Sequence, residues 1–237
     1  MKSKGSSWAI VIVCAMVLAV GVKAQTMRGK DVKEGASQAE KSAKVLNEIM
    51  STPDKGIPRD LLEKAECVLV FPKVVKGGFI LGAQGGRGAA SCRTKSGWSA
   101  PAYFEIKGGS VGLQIGGEAT DFVLLFMNES GMKSLLSDKF ELGGEASIAA
   151  GPVGRTSSAS TDAKMDAQIL SYSRSKGLFG GVSLKGNVIS PDKSDMEGTY
   201  GKGVKAETVL VMDKARAPQE VQVFPNALTQ YSSRASN

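Results

Sequence analysis

The segment Gly108-Gly109-Ser110-Val111-Gly112 has the G-x-S-x-G spacing that places a nucleophilic serine in the sharp turn of many hydrolases. Such a serine needs a general base, which is usually a histidine oriented by a carboxylate. The chain contains no histidine, and Ser110 lies between predicted strands instead of between a strand and a helix. The pattern therefore does not predict a Ser-His-acid hydrolase, and an esterase using Ser110 with a lysine base stays a remote alternative.

Metal and nucleotide sites are not indicated either. Two cysteines, Cys67 and Cys92, without any imidazole cannot complete a tetrahedral zinc site unless carboxylates contribute. Neither the P-loop nor the dinucleotide-binding spacing occurs, although the chain has 29 glycines. The sequence therefore has neither a zinc signature nor a nucleotide-binding signature, and we expect no cofactor or metal ion. Carboxylate pairs for sugar chemistry stay open, although Glu105, Glu118 and Asp121 are equally ordinary surface charges of a sheet.

Basic residues next to aromatic residues give a more specific pattern. Near an anionic lipid surface each Lys or Arg contributes about 1 kcal/mol, and adjacent Trp or Phe side chains lie at headgroup level. From Gln25 onward the chain has 27 basic and 23 acidic residues, a charge of +4, which permits such attraction but is too modest to favour nucleic acid. Scattered, solvated loop charge is the competing interpretation. The predicted lipid-binding residues are Arg93, Lys95, Trp98, Arg155, Arg174, Lys176 and Phe179.

The first residues have the three parts of a secretory signal peptide. Lys2 and Lys4 precede an apolar run over residues 9–22, and a small-residue end follows at Ala24. The run is shorter than the roughly 20 residues of a membrane-spanning helix, although a retained anchor is the alternative. We predict a signal peptide over residues 1–24, a linker over 25–30, and a chain that is periplasmic or secreted after cleavage near Ala24.

Cleavage leaves Cys67 and Cys92 in a compartment that should be oxidising. A disulfide is the expected state there, and it would stabilise the fold by roughly 3 kcal/mol. Two buried thiols on neighbouring strands are the alternative.

The mature chain begins with a helical pattern. Residues 31–50 carry apolar or small side chains at alternating steps of four and three, which predicts an amphipathic helix. Its apolar face is narrow and alanine-rich, whereas a lipid-inserting helix usually displays bulkier side chains, so we expect it to pack on a sheet. Pro53 ends this helix, and a second short one begins near Pro58.

From Cys67 onward the chain consists of short β-rich runs punctuated by glycine. The predicted strands are 67–71, 78–82, 88–93, 102–106, 111–116, 122–127, 145–150, 168–174, 178–185 and 208–212. One helix interrupts them at residues 129–136, with Asn128 as its cap. Short runs and sparse aromatic residues argue against an outer-membrane barrel.

These elements predict an α+β fold in which N-terminal helices pack on a glycine-rich antiparallel β-sheet or partial barrel. The domain would cover residues 31–212, helical over 31–66 and β-rich over 67–212. Residues 213–237 would form a C-terminal tail.

An ordered set of short motifs extends over most of the mature chain. It includes Ile57-Pro58-Arg59-Asp60-Leu61-Leu62, Cys67-Val68-Leu69-Val70-Phe71-Pro72-Lys73, Gly97-Trp98-Ser99-Ala100-Pro101-Ala102 and Ser171-Tyr172-Ser173-Arg174-Ser175-Lys176-Gly177-Leu178-Phe179. Together these motifs resemble the SYLF lipid-binding family, whose members are exported bacterial proteins or modules of eukaryotic membrane-trafficking and actin-patch proteins.

The resemblance implies binding of anionic phospholipids and no enzymatic activity. It also implies actin association in some eukaryotic members, a partner that we do not expect for an exported protein. We therefore predict an exported, non-enzymatic phospholipid-binding protein that acts at an envelope membrane surface. A structural or scaffolding envelope protein without specific lipid binding is the alternative.

Overall fold

The computed structural model describes residues 32–52, 56–78, 81–111, 118–154, 167–212 and 217–232. The predicted signal peptide, the linker and Arg155 lie outside these ranges. The helices are α1 over residues 32–50, α2 (Arg59–Lys64), α3 (Glu129–Leu136), α4 (Lys193–Tyr200), α5 (Ala206–Leu210) and α6 (Val223–Tyr231), with a 3₁₀ turn at Gln219–Val221. The strands are β1 (Cys67–Gly78), β2 (Leu81–Thr94), β3 (Gly97–Trp98), β4 (Ala102–Val111), β5 (Glu118–Phe126), β6 (Phe140–Glu141), β7 (Ile148–Ala150), β8 (Ile169–Ser175), β9 (Leu178–Gly181) and β10 (Val188–Pro191).

The strands form one curled sheet that makes a half-barrel. Its strand order is β6-β10-β4-β2-β1-β5-β8-β7, with β3 added beside β2 and β9 beside β8. The predicted α+β class with a partial barrel is confirmed. The sheet is mixed, however, because β7 pairs with β8 in parallel. A parallel pair needs a connection of a dozen or more residues, and the chain between Ala150 and Ile169 is long enough to supply it.

The two long strands β1 and β2 form the centre of the sheet. Their register shifts between Val70 and Val75, which marks an irregularity in β1. Lys73 lies inside this irregularity and has a left-handed backbone, with a φ of 53°. Its N–H donates to Asp121 Oδ1 of β5 at 2.9 Å instead of to a neighbouring strand carbonyl. The irregularity therefore turns the Lys73 side chain out of the regular strand pattern.

The disulfide between Cys67 and Cys92 is present, which confirms that prediction. The two residues are direct register partners on β1 and β2, with Cα atoms 4.0 Å apart. Both are fully buried in the core. The bond therefore joins the two central strands at the end of the sheet where α2 lies.

Helix α1 covers the sheet with its alanine-rich face. Ala39, Ala43 and Leu46 on this face are buried in the single hydrophobic core. At Gly35 the helix approaches its neighbours so closely that a Cβ atom would lie 2.1 Å from Thr199 Oγ1. The prediction that this helix packs on a sheet is confirmed. None of the described helices is long and apolar enough to cross a membrane.

The strand predicted at residues 208–212 is wrong. Residues 208–210 belong to α5, in which Ala206, Val209 and Leu210 are buried, and residues 211–212 follow it in a turn. The run Thr208-Val209-Leu210-Val211-Met212 has high β-propensity, but packing of one face against the core overrides it.

The helix predicted over 129–136 is confirmed as α3, where Asn128 Oδ1 accepts from the N–H of Gly131 at 2.9 Å.

The structure also differs from the expected C-terminal tail. Within residues 213–237, helix α6 buries Phe224, Pro225 and Leu228. Phe224 and Leu228 belong to the same core as the sheet. The described part of this segment is therefore an integral layer of the fold.

Candidate functional site

Three of the predicted lipid-binding residues lie around the β2–β3 turn. Arg93 stacks on the Trp98 ring, with its guanidinium carbon 4.1 Å from the ring centroid. The same guanidinium donates to the carbonyl oxygens of Leu62 and Glu63 at 3.3 and 3.2 Å, at the C-terminal end of α2. Lys95 is exposed in the adjoining turn. The Arg93 side chain therefore links the C-terminal end of α2 to the sheet.

Trp98 is likewise engaged within the protein. Its indole N–H donates to Ser232 Oγ at 3.1 Å, just after α6. The ring is partly buried against the hydrophobic core. Together Arg93 and Trp98 tie α2, the β2–β3 turn and the C-terminal helix to one another.

The other described candidates lie in the β8–β9 hairpin. Arg174 and Phe179 are register partners, and Lys176 lies in the turn between the strands. Phe179 stacks on Tyr172 with ring centroids 5.5 Å apart. Phe179 therefore anchors the hairpin to the core.

The two groups lie at opposite ends of the sheet. Cys67 pairs with Cys92 and with Phe126, and Phe126 pairs with Ile169. Arg93 directly follows Cys92, whereas Arg174 lies near the far end of β8, about 17 Å along the strand from Ile169. The structure therefore does not bring the predicted residues onto one contiguous surface.

Arg174 and Lys176 instead line a cleft of about 400 Å³ between α1, the β1 irregularity and the β8–β9 turn. We call it the basic cleft. It is lined by Lys41, Lys44, Val45, Glu48, Pro72, Lys73, Ala119, Asp121, Arg174, Lys176 and Gly177.

Both carboxylates of the basic cleft are bound to Arg174. Its Nε and Nη2 donate to Asp121 Oδ2 at 3.0 and 2.7 Å, and Nη1 forms an ion pair with Glu48. Burial disfavours the charged guanidinium, but the hydrogen bonds to Asp121 and Glu48 outweigh it and raise the pKa of Arg174. Lys44 Nζ reaches only the exposed edge of Glu48, at 4.0 Å. Arg174 therefore compensates one of the two acidic charges in the cleft, and the four lysines of the lining give the cleft its net positive charge.

Two of these lysines have a backbone conformation that L-residues rarely adopt. Lys73 and Lys176, with φ of 53° and 50°, are the only non-glycine residues with positive φ in the described ranges. A left-handed conformation costs roughly 1–2 kcal/mol for such a residue, and Gly or Asn adopts it more easily. Both strained positions carry lysine, and both line the basic cleft. Strained residues that cluster in this way point to a functional role for their side chains.

The lining of the basic cleft carries an excess of positive charge, as an anion site requires. Ser110 lies on β4 as the register partner of Gly82, in a strand and not in a strand-to-helix turn. In the described part of the chain no group of three or more His, Cys, Asp or Glu side chains could hold a metal ion.

A second cleft, of about 680 Å³, lies between the end of α1 and α6. Its polar lining is formed by the carboxamides of Asn47, Gln219, Gln222, Asn226 and Gln230. It has no charged residue in its lining, and so it does not attract anions as the basic cleft does.

Sequence reasoning found Arg174 and Lys176 but missed the partners that complete the cleft. Lys41 and Lys44 belong to the polar side of α1, and nothing in their spacing distinguishes them from the charges of an ordinary solvated helix face. Glu48 follows Lys44 by one helical turn, and that spacing was the available signal. The approach of Asp121 to Lys73 depends on strand pairing, which the sequence does not reveal.

Comparison with known proteins gives a consistent set of matches. The model of the family described as Ysc84, Las17-binding protein actin regulator, matches residues 107–231. SH3 domain-containing YSC84-like protein 1 of Homo sapiens is 32% identical over 195 residues, which cover 79% of this chain and 57% of the human protein. LAS seventeen-binding protein 3 of Saccharomyces cerevisiae (strain ATCC 204508 / S288c) is 33% identical over 211 residues, which cover 85% of this chain and 45% of the yeast protein.

The chain thus spans about half the length of the curated relatives it matches. The resemblance to the SYLF family that the sequence motifs indicated is confirmed by these matches.

Proposed function

The chain belongs to the Ysc84 family of Las17-binding actin-regulator proteins. We propose that it is an exported, non-enzymatic protein that binds anionic phospholipid at an envelope membrane surface. The basic cleft is the headgroup site in this proposal. The main support for this proposal is that Lys73 and Lys176, two lysines with the unfavourable left-handed backbone conformation, line the same cleft.

The size and charge of the cleft support a phosphate-bearing headgroup as its occupant. A volume of about 400 Å³ lies in the range of small-molecule sites. Lys41, Lys44, Lys73 and Lys176 supply positive charge, while the Arg174 network holds the walls in place. A preorganised set of cations loses less entropy when an anion binds.

Two features support the location. The N-terminal sequence has the basic, apolar and small-residue parts of a signal peptide. The Cys67–Cys92 disulfide is typical of proteins in oxidising compartments. An envelope surface rich in anionic phospholipid is the membrane that such a protein meets.

The direct experiment is sedimentation of the chain from Gln25 onward with liposomes. We expect binding to vesicles of phosphatidylcholine with 30% phosphatidylglycerol, and loss of binding to pure phosphatidylcholine. Binding should weaken steeply between 50 and 500 mM salt, because exposed charges are screened. Absence of sedimentation with every vesicle would contradict lipid binding and favour the scaffolding alternative.

Actin regulation is a second candidate function, favoured by the description of the matched family model. It applies to this chain only if the protein meets actin, which export would prevent. Co-sedimentation with filamentous actin tests this candidate: binding at micromolar concentration would favour it, and its absence would leave the lipid proposal as the better one.

A further inference from the structure

The two most exposed large apolar side chains in the described ranges belong to residues that are close in the chain to the lining of the basic cleft. Leu178 is 79% exposed and Val75 is 53% exposed. Leu178 directly follows the turn residues Lys176 and Gly177, and Val75 comes two residues after Lys73. A single exposed leucine is ordinary, but this coincidence with a basic cleft calls for an explanation.

The hairpin that carries Leu178 has a rigid geometry. Ser175 pairs with Leu178 across a two-residue turn in which Lys176 and Gly177 have φ of 50° and 80°. Positive φ at both central residues is the turn type that matches the natural twist of a hairpin. The stack of Phe179 on Tyr172 fixes the base. Leu178 alternates with Phe179 along β9, and so its side chain points away from this stack into solvent.

Leu178 and Val75 lie at the same end of the sheet. Val75 pairs with Ala119 on β5, and Asp121, two residues further along β5, pairs with Arg174 on β8. The β8–β9 turn, two residues beyond Arg174, therefore reaches the level of Val75. Three strand spacings of about 4.8 Å separate the two strands that carry them, or roughly 14 Å.

We propose that Leu178 and Val75 form an apolar anchor that enters the acyl-chain boundary of an anionic bilayer while the lysines of the basic cleft contact the headgroups. This inference rests on the proposed function and adds the orientation of the protein: the end of the sheet with the β8–β9 turn faces the membrane. Apolar side chains flanked by lysines fit a lipid interface, where hydrocarbon lies directly beneath a layer of phosphates.

A protein partner fits this surface less well. A stable protein interface buries on the order of 1,000 Å² or more around an apolar centre. Val75 and Leu178 lie on strands roughly 14 Å apart and project from opposite faces of the sheet, and so they do not supply such a centre. An anionic bilayer offers negative headgroups to the lysines and hydrocarbon to the two apolar side chains.

Tryptophan fluorescence tests the insertion directly. Leu178→Trp in the chain from Gln25 onward adds a reporter at the tip, and Val223→Trp adds one at an exposed apolar site on α6 as the matched control. With phosphatidylglycerol vesicles that contain lipids brominated in the acyl chain, we expect strong quenching of the Leu178→Trp emission only. Equal, weak quenching of both variants would overturn the anchor.

Sedimentation gives a second, independent readout. Leu178→Ser should reduce vesicle binding about tenfold, because a polar side chain replaces the leucine that enters the acyl-chain boundary in the proposed complex. Val223→Ser should bind like the original chain. Equal binding of Leu178→Ser and the original chain would contradict the anchor, since a substitution at an exposed tip leaves the fold intact.

The outcomes separate the anchor from the proposed function. If the original chain binds no vesicle, lipid binding itself fails. If it binds and Leu178→Ser binds equally well, only the anchor fails. Binding of soluble glycerol phosphate as tightly as of vesicles would show that a free phosphate compound is the ligand, and this result would also overturn the anchor.

Discussion

Arg174 donates two hydrogen bonds to a single oxygen of Asp121, at 3.0 and 2.7 Å, across the pair of strands β5 and β8. The guanidinium then extends from the sheet to Glu48 on α1. One arginine therefore connects the helix to the sheet at the floor of the basic cleft. Its replacement should affect stability and binding together.

Arg174→Gln should lower the free energy of unfolding by about 1–2 kcal/mol. The substitution leaves Asp121 and Glu48 without their shared cation, and the partial exposure of the ion pairs limits the loss. Urea unfolding followed by circular dichroism measures the change. Lys193→Gln, at the exposed first residue of α4, is the charge-matched control. Equal midpoints for the two variants would contradict the connecting role.

Glu48→Gln should increase the affinity for anionic vesicles several-fold. Glu48 lines the cleft and competes with a bound phosphate for Arg174, whereas Glu40 is exposed on the same helix outside the cleft. Glu40→Gln removes the same charge and should have a much smaller effect. The comparison needs vesicle titrations of both variants at one salt concentration, and identical affinities would rule out competition by Glu48.

Acidification from pH 7.5 to pH 5 should stabilise the protein through Asp195. Burial, reinforced by the charge of Asp192 and opposed by Arg87, raises the pKa of Asp195 to about 6. The Glu34 and Glu105 charges raise it further. Between pH 3.8 and pH 6 the folded state binds this proton more tightly than the unfolded state, and so stability is lost as the pH rises through about 6.

Between pH 5 and pH 7.5 about one pH unit lies below the folded pKa, and so the expected loss of stability is about 1.4 kcal/mol. Urea unfolding at pH 5 and pH 7.5 measures it, and Asp195→Asn should flatten the difference. A variant that retains the full pH dependence would show that other groups cause it.

Reduction of the Cys67–Cys92 bond should lower the free energy of unfolding by about 3 kcal/mol, because the unfolded chain regains the freedom of a loop with a sequence separation of 25. The measurement is chemical unfolding with and without a reductant. A chain with Cys67→Ala and Cys92→Ala serves as the control, since reductant should leave it unchanged. No effect of reductant on the original chain would contradict a structural role of the bond.

Several elements followed from local sequence patterns. The helix at Glu129–Leu136 has a capping Asn128 and a clear apolar face, and the alanine-rich stripe of α1 predicted its packing on the sheet. The α5 segment was misassigned as a strand because β-branched residues dominate its sequence, and only tertiary packing shows the helical burial of Val209 and Leu210.

The candidate site was predictable only in part, because it depends on which strands are neighbours. Spacing grouped Arg93 and Trp98 with the lipid-binding residues, but strand pairing places Arg93 against the end of α2 and Trp98 against Ser232. Asp121 accepts from both the Lys73 N–H and the Arg174 guanidinium, and it thereby links β1 to β8 across the β1–β5 and β5–β8 pairs. Such long-range register is not encoded in any short motif.

The most direct test of the account compares two charge-matched double variants in vesicle binding. Lys73→Gln with Lys176→Gln removes two charges from the basic cleft, and Lys139→Gln with Lys193→Gln removes two from exposed sites outside its lining. At about 1 kcal/mol for each charge, the cleft variant should bind phosphatidylglycerol vesicles at least tenfold more weakly, while the control should stay within about twofold of the original chain. Equal losses in the two variants would show that net charge alone attracts the protein to the membrane and would contradict the basic cleft as the headgroup site.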